Sequence, residues 1–335
     1  MNRRSVIGSA ISLALAEAIG ACHPRAAKHR GNTAMPLDVS SAEMLHALAG
    51  LRSLIAIEPQ HIVESSAHEA VMKMISAERF EAFAANHGGC DLRAVRSLTV
   101  ASFDDATEFV TVLGSFSPAG LERWFRDRVE VEGSAIDRGH THQFEPLNRT
   151  WGASRRGREQ LGMVQGRFAM WESGRLGPLR VAHLFSQRAL KKVKPAADLE
   201  PLATLRKFAH DAPVRWFALG PFEGTQGAAV AGLLATCTGL VIAATPLAGT
   251  PARVALKCAM LGTFGDRAAE RFLASFNVLA NDPLGRLCGL HEKLSDLKVQ
   301  TWDDRIEAAL VVDALRIADG LLAATQATVA DVMSW

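Results

Sequence analysis

Two histidines separated by a single residue are the most ligand-like pair in this sequence. His140 and His142 flank Thr141, and side chains two residues apart share one face of an extended strand. A zinc site takes three or four protein ligands, but the carboxylate of Glu145 would project from the opposite face of the strand. Because a third ligand is lacking, we predict that the chain binds no metal and needs no cofactor.

Other catalytic motifs occur only as fragments. Two His-Glu dipeptides, at 68–69 and 291–292, begin the zinc-protease pattern H-E-x-x-H, but Met72 and Ser295 replace its second histidine. Ser295 and Lys298 have the S-x-x-K spacing of some serine hydrolases, without the companion motifs of those enzymes. The sequence contains no G-x-S-x-G, P-loop or G-x-G-x-x-G motif. We therefore expect no catalytic residues that a local motif would identify.

A basic stretch surrounds one tryptophan in the first half of the chain. Arg149, Arg155, Arg156 and Arg158 lie close to Trp151 in sequence. Such a stretch can attract anionic headgroups or cell-wall polymers, or it can be a solvated loop without a ligand. The sequence leaves a protein or envelope-polymer partner unidentified.

Cys22 is the cysteine with the most specific chemical context. The segment Ile19–Cys22 reads Ile-Gly-Ala-Cys and resembles the bacterial lipobox, whose cysteine thiol receives a diacylglycerol. Several acyl chains would then anchor the protein to a membrane, since each buried CH₂ contributes about 0.8 kcal/mol. Residues 16–18 form a competing A-x-A cleavage site, so ordinary secretion is the alternative.

Residues 1–21 have the layout of a secretory signal. Arg3 and Arg4 form a short positive region, and an apolar stretch and small residues follow. The apolar stretch is shorter than the roughly 20 residues of a membrane span and is interrupted by Glu17. The paired arginines also resemble a twin-arginine signal, so export uses either that route or the Sec route.

The mature chain is nearly neutral. The full chain has 37 Lys and Arg against 35 Asp and Glu, and removal of Arg3, Arg4 and Glu17 leaves 35 against 34, a net charge of +1. This balance lacks the basic footprint of nucleic-acid binding, so we predict no nucleic-acid partner. The hydrophobic content of 48% is that of a soluble globular protein.

Polar and structure-breaking residues predict the organisation of the mature chain. Residues 22–40 read as a tether, which would hold a folded body off the bilayer. The basic, proline-terminated segment Lys191–Pro195 is the predicted boundary between a first α+β domain, 41–192, and a second, 196–330.

Hydrophobic periodicity predicts a similar order of elements in both domains. The predicted strands are 53–58, 95–102, 108–115, 142–147, 161–165, 168–172, 214–219, 240–245, 253–260, 297–302 and 306–312, and the predicted helices are 63–86, one beginning at 118, 179–190, 228–236, 266–279 and 314–324. Ser117 is expected to cap the helix that Pro118 begins. We therefore predict an α+β fold of two related halves, ferredoxin-like βαββαβ repeats whose antiparallel sheets are covered by helices.

Several segments resemble a known class of proteins. Cys90–Val100, Phe109–Phe116 and the run from Leu297 through the Asp303-Asp304 turn are similar to uncharacterised bacterial envelope lipoproteins, which share a lipobox and duplicated α+β halves. The resemblance covers most of residues 40–325. It implies an envelope location, a lipid-mediated contact with the membrane, and the same architecture, but it implies no chemistry.

Two cysteines flank a predicted hairpin. If the turn centres near residues 248–249, Cys258 lies opposite Gly239, and a shift of one residue would place it opposite Cys237. A disulfide requires a Cα separation of about 4.4–6.8 Å, which adjacent strands can provide. The alternative is that both residues are free thiols packed as small apolar groups.

The sequence favours a non-catalytic envelope protein that binds or scaffolds a partner, lipid-anchored in the outer membrane or at a periplasmic face. The alternative is a periplasmic hydrolase or solute-binding protein whose site is assembled from distant residues. A pocket with converging polar side chains would favour this alternative, whereas flat sheets over apolar cores would favour scaffolding.

We predict that the mature N-terminus is an acylated Cys22, because the lipobox ends at this residue. Intact-mass analysis and metabolic fatty-acid labelling of the envelope-purified protein measure the modification. An unmodified mature chain that begins at Ile19, the product of cleavage after Ala18, would contradict the prediction.

Overall fold

The computed structural model describes residues 49–137, 147–164, 168–174, 177–179, 195–209 and 212–326. The predicted signal residues Arg3 and Arg4, the lipidation site Cys22 and the weak metal candidates His140 and His142 lie outside these residues. Within the described ranges, no helix combines the length and apolar character needed to cross a membrane.

The described residues form one antiparallel sheet of twelve strands. The strands are β1 (Leu51–Ile57), β2 (Ser97–Phe103), β3 (Glu108–Leu113), β4 (Glu130–Asp137), β5 (Leu147–Ser154), β6 (Gly157–Val164), β7 (Phe168–Ser173), β8 (Val214–Leu219), β9 (Cys237–Leu247), β10 (Arg253–Gly262), β11 (Lys298–Thr301) and β12 (Arg305–Asp313). Their order across the sheet is β11-β12-β10-β9-β8-β1-β2-β3-β7-β6-β5-β4. Alternation of apolar and polar residues produces such strands, as in β12, where alternate residues from Ile306 to Val312 are buried.

Helices pack against the sheet. They are α1 (Pro59–Val63), α2 (His68–Met74), α3 (Ala77–Asn86), α4 (Pro118–Arg126), α5 (Leu202–Phe208), α6 (Ala268–Asn281), α7 (Pro283–Leu287) and α8 (Ala314–Gln326), with 3₁₀ turns at Leu92–Ala94, Ala196–Asp198, Leu233–Thr236 and His291–Asp296. The predicted cap of α4 is confirmed, because the Ser117 hydroxyl accepts a hydrogen bond of 3.2 Å from the Gly120 amide.

The prediction of two ferredoxin-like halves is wrong. A ferredoxin-like unit places its first strand beside its third, whereas here β1 pairs directly with β2 on one side and with β8 on the other. Three-stranded meanders, β1-β2-β3 and β8-β9-β10, extend from this central pair in both directions. A single sheet therefore runs through both predicted domains, and the repeated order of elements along the chain does not correspond to two closed units.

The predicted helix 63–86 is also wrong, because the structure has shorter helices there. The Ser65 hydroxyl donates to the Ile62 carbonyl at 2.6 Å and accepts from the Ala67 amide at 3.1 Å. Such local bonds compete with helical hydrogen bonds. The chain is extended again at Ile75 and Ser76. An uninterrupted apolar period therefore did not produce an uninterrupted helix.

The two faces of the sheet have separate cores. The front face, defined here by Leu54, Phe109 and Phe217, packs against Leu202 and Leu205 of α5. The back face is the opposite one and is covered by α4, α6 and α8. The core on this side contains buried residues of both the strands and the helices: Phe125, Leu161, Met260, Phe272, Ile306 and Ala318. Burial on both sides explains why several strands carry apolar residues on both faces.

A buried ion pair fastens the end of α4 to the back face. Glu159 is 1% exposed. Its Oε2 accepts from Arg128 Nη2 at 2.6 Å and from Trp171 Nε1 at 2.8 Å. The Arg128 guanidinium also stacks on the ring of Trp124, 4.5 Å from its centroid. Breaking a buried pair by removing one partner typically costs about 3–5 kcal/mol, so this cluster fixes α4 in place.

A second buried carboxylate lies on the front face. The Glu172 residue is 0% exposed, and its two oxygens accept from the amides of Gly177 and Leu179, both at 2.5 Å. Burial raises the pKa of the Glu172 carboxyl above its ordinary value, although these hydrogen bonds act in the opposite direction. The carboxylate therefore holds the chain that follows β7 through two backbone amides, although its own burial disfavours the charged form.

We predict that Glu172→Gln changes the pH dependence of stability. Because the folded-state pKa is raised, the contribution of Glu172 to the free energy of unfolding is largest below its ordinary pKa and declines as the pH rises through the folded-state value. The stability of the wild type relative to the variant should therefore fall with rising pH, by about 1.4 kcal/mol for each pH unit that separates the ordinary pKa from the folded-state pKa. Urea denaturation of the wild type and the variant between about pH 4 and pH 8 measures this difference in the free energy of unfolding. A pH-independent difference would contradict the prediction.

Candidate functional site

A cavity of about 340 Å³ lies between the front face and α5. Its apolar interior is formed by Leu54, Ala56, Leu113, Leu202 and Phe217. Strands β1, β2, β3 and β8 supply one wall, and α5 with the turn before it supplies the other. The volume is at the lower end of the range of about 300–1,000 Å³ that is typical of small-molecule sites.

The register of β1 and β8 explains the shape of the cavity. Leu54 pairs with Phe217, and Ala56 pairs with Arg215. Because residues two apart share a face, both strands run from a large apolar side chain towards a charged one. The small side chain of Ala56, which is 3% exposed, leaves open space between these rows.

Four charged side chains line the polar end of the cavity. They are Glu58, Arg96, Arg206 and Arg215, and they are called the rim below. Arg215 Nη2 donates to Glu58 Oε1 at 2.7 Å. Arg206 Nη1 donates to Asp198 Oδ1, also at 2.7 Å. Two of the three arginines are therefore each held by a carboxylate of the chain itself.

Other donors at the rim have no protein acceptor within the described part of the chain. Arg215 Nε is buried and has no hydrogen-bond partner there. The exposed side chain of Arg96 likewise has no hydrogen bond or ion pair to a described residue. A buried donor left unsatisfied costs about 1–3 kcal/mol, and such donors are rare. The Arg215 Nε is closed to solvent, so a bound anion would meet Arg215 at its terminal nitrogens and Arg96 at its exposed guanidinium.

The rim is suited to binding an anion rather than to proton transfer. Guanidinium groups stay protonated in proteins and present fixed donors to oxygen acceptors. The single carboxylate among the described lining residues, that of Glu58, is ion-paired with Arg215. His61 Nδ1 lies 3.6 Å from Glu58 Oε2, on an exposed side chain. The arrangement combines positive charge with an apolar interior, as a site for an amphipathic anion requires.

The described residues that were singled out from the sequence do not line the cavity. Within the described ranges, no group of three or more His, Cys, Asp or Glu residues is placed to hold a metal ion. The basic residues do not converge on one point. Arg149 lies in β5 and Arg158 in β6, and Arg155 and Arg156 form the turn between these strands. Arg158 pairs with Glu132 at 3.4 Å.

The cysteines of the predicted hairpin are free thiols in this structure. Cys258 lies opposite Ile242, and Cys237 lies opposite Gly262. Four strand positions separate Cys258 from Gly262, about 13 Å at the rise of an extended chain, which exceeds the Cα range of a disulfide. Burial raises the pKa of the Cys258 thiol to about 12. This register does not bring the cysteines together, and the disulfide stays a prediction for peptide mapping.

Sequence reasoning missed every residue of the rim. Glu58 and Arg215 are 157 residues apart, and neither belongs to a motif. The only local signal is the change from apolar to charged side chains at one end of a strand, as in the alternate residues 54, 56 and 58 and again at 215 and 217. That signal cannot say which strand ends meet.

Comparisons of the chain with protein-family models, with curated proteins and with solved structures find no match. The resemblance to envelope lipoproteins therefore stays an expectation. The cavity and its rim are the features of the described structure that bear on function.

We predict that Ala56→Leu stabilises the protein by about 1 kcal/mol, because the added carbons fill existing space. Ala101→Leu is the matched control, since Ala101 is 0% exposed, lies on the same face and packs in the core. It should destabilise by about 1–3 kcal/mol through overpacking. Urea denaturation measures both changes. Equal destabilisation by the two substitutions would show that Ala56 borders no usable space.

Proposed function

We propose that this protein is a non-catalytic, lipid-anchored envelope protein that binds a small amphipathic anion in the front-face cavity. The observation that carries the proposal is the apolar cavity rimmed by three arginines, of which Arg96 is exposed and makes no side-chain hydrogen bond or ion pair to a described residue. The lipobox at Cys22 supports the anchor and the envelope location. The anionic group would contact the rim, and the apolar part would lie against Leu54 and Phe217.

The apolar part of the ligand supplies affinity. Each buried CH₂ contributes about 0.8 kcal/mol, which tightens Kd about fourfold. The charged group supplies orientation, because charge-assisted hydrogen bonds to guanidinium are short and directional. The cavity volume limits the apolar part to a short chain or a single ring.

Binding accounts for the site better than hydrolysis does. A hydrolase needs a nucleophile and a base within hydrogen-bond reach of each other. At the rim, Arg215 and Glu58 instead hold each other at 2.7 Å. Scaffolding through flat sheet faces would leave the arginine-rimmed cavity without a role. The converging polar side chains therefore favour a solute-binding protein.

We predict that isothermal titration calorimetry detects octanoate binding to the purified mature protein, and that Arg215→Gln weakens it about 10- to 100-fold. The reason is the loss of a charge-assisted hydrogen bond worth about 1.5–3 kcal/mol. Arg123→Gln is the matched control, because this exposed arginine lies on α4, on the opposite side of the sheet. It makes the same change in net charge and should leave Kd unchanged.

Two comparisons test the amphipathic character of the site. Hexanoate, heptanoate and octanoate should bind with Kd values that tighten about fourfold per CH₂ while the cavity has room. Octanol and acetate, which lack the charge and the tail respectively, should both bind more weakly than octanoate. No binding of octanoate, or equal weakening by Arg215→Gln and Arg123→Gln, would refute the proposed site.

A further inference from the structure

We infer that Glu58 sets the charge selectivity of the cavity, so that the site prefers a monoanion such as a carboxylate to a dianion such as a phosphate monoester. This inference rests on the proposed function and assigns Glu58 the role of a specificity-determining residue.

The charges at the rim carry the inference. The described lining residues Arg96, Arg206 and Arg215 are positive, and Glu58 is negative. Asp198, paired with Arg206, adds a second negative charge. The balance of these described groups is +1, which a monoanion neutralises and a dianion exceeds.

Glu58 is placed so that its negative charge would lie beside a bound ligand. Its carboxylate accepts from Arg215 Nη2 at 2.7 Å, and both side chains line the cavity. An anion that pairs with the Arg215 guanidinium from within the cavity would therefore lie close to the Glu58 carboxylate. Like charges at such separations repel strongly where the surroundings are partly desolvated, and this juxtaposition is a common way of rejecting a wrong ligand.

Glu58 can be neutralised without disturbing the fold. Its side chain is 35% exposed, and its amide donates to the Pro213 carbonyl at 2.8 Å, a backbone bond that a substitution leaves in place. In Glu58→Gln the side-chain amide oxygen can still accept from Arg215. The variant therefore changes the charge of the rim by one unit while keeping its shape.

Octanoate and octyl phosphate test the inference, because they share a tail and differ in charge. Titrations at about pH 8 keep the phosphate doubly charged, since its second pKa is about 6. We expect the wild type to bind octanoate more tightly than octyl phosphate. Glu58→Gln should raise the affinity for octyl phosphate tenfold or more and the affinity for octanoate by less, so that the preference closes or reverses.

Control variants separate the charge of Glu58 from its packing and from general electrostatics. Glu58→Asp keeps the charge and should keep the preference for octanoate. Glu64→Gln removes a nearby exposed carboxylate that is bonded to Gln60 and does not line the cavity, and it should leave the ratio of the two affinities unchanged.

The outcomes distinguish the inference from the proposed function. If the wild type binds both ligands, Arg215→Gln weakens both, and Glu58→Gln leaves their ratio unchanged, the inference is overturned and the proposed function stands. If the wild type binds neither ligand, the proposed function fails and takes the inference with it. If the ratio of the two affinities shifts in Glu58→Gln but not in Glu58→Asp or Glu64→Gln, both the inference and the proposed function are supported.

Discussion

The pairing of β1 with β8 is the constraint on which the rest of the structure depends. It extends from Ser53–Ala218 to Ile57–Val214 and continues through the hydrogen bond from the Glu58 amide to the Pro213 carbonyl. Without it, the meanders on either side would each expose an unpaired edge, which is a liability for any sheet. The same pairing brings Phe217 beside Leu54 and Arg215 beside Glu58, so the architecture and the candidate site have one origin.

The sequence predicts the local elements because their signals are local. The strand 214–219 and the hairpin through residues 303–304 follow from alternation and a turn, and the helix at 118 follows from its cap. The order of strands does not follow, because β8, one of the two partners of β1, lies more than 150 residues away along the chain. An element order resembling βαββαβ is compatible with several sheet topologies, and only long-range packing selects one of them. Predicting two halves from that order assumed that each half would close on itself.

The two buried carboxylates differ from the charged groups at the rim of the cavity. Glu159 and Glu172 each have several donors directed at them by neighbouring elements, so the interior satisfies its charges where it holds them. At the rim, the exposed side chain of Arg96 makes no hydrogen bond or ion pair to a described residue. This open positive charge beside an apolar cavity is the reason for proposing an anion as the ligand.

Whole-chain charge could not have located this site, because a net charge near zero averages over many exposed pairs. What matters is that folding collects Arg96, Arg206 and Arg215 from three separate segments around one apolar space. The apolar walls belong to the sheet and to Leu202 of α5, which is 0% exposed, so they are fixed by the core. The rim side chains are more exposed, with Glu58 at 35% and Arg206 at 43%, and can exchange partners by changing rotamers alone. A ligand could therefore enter and leave without separating any strands, which permits a rigid fold and reversible binding in the same structure.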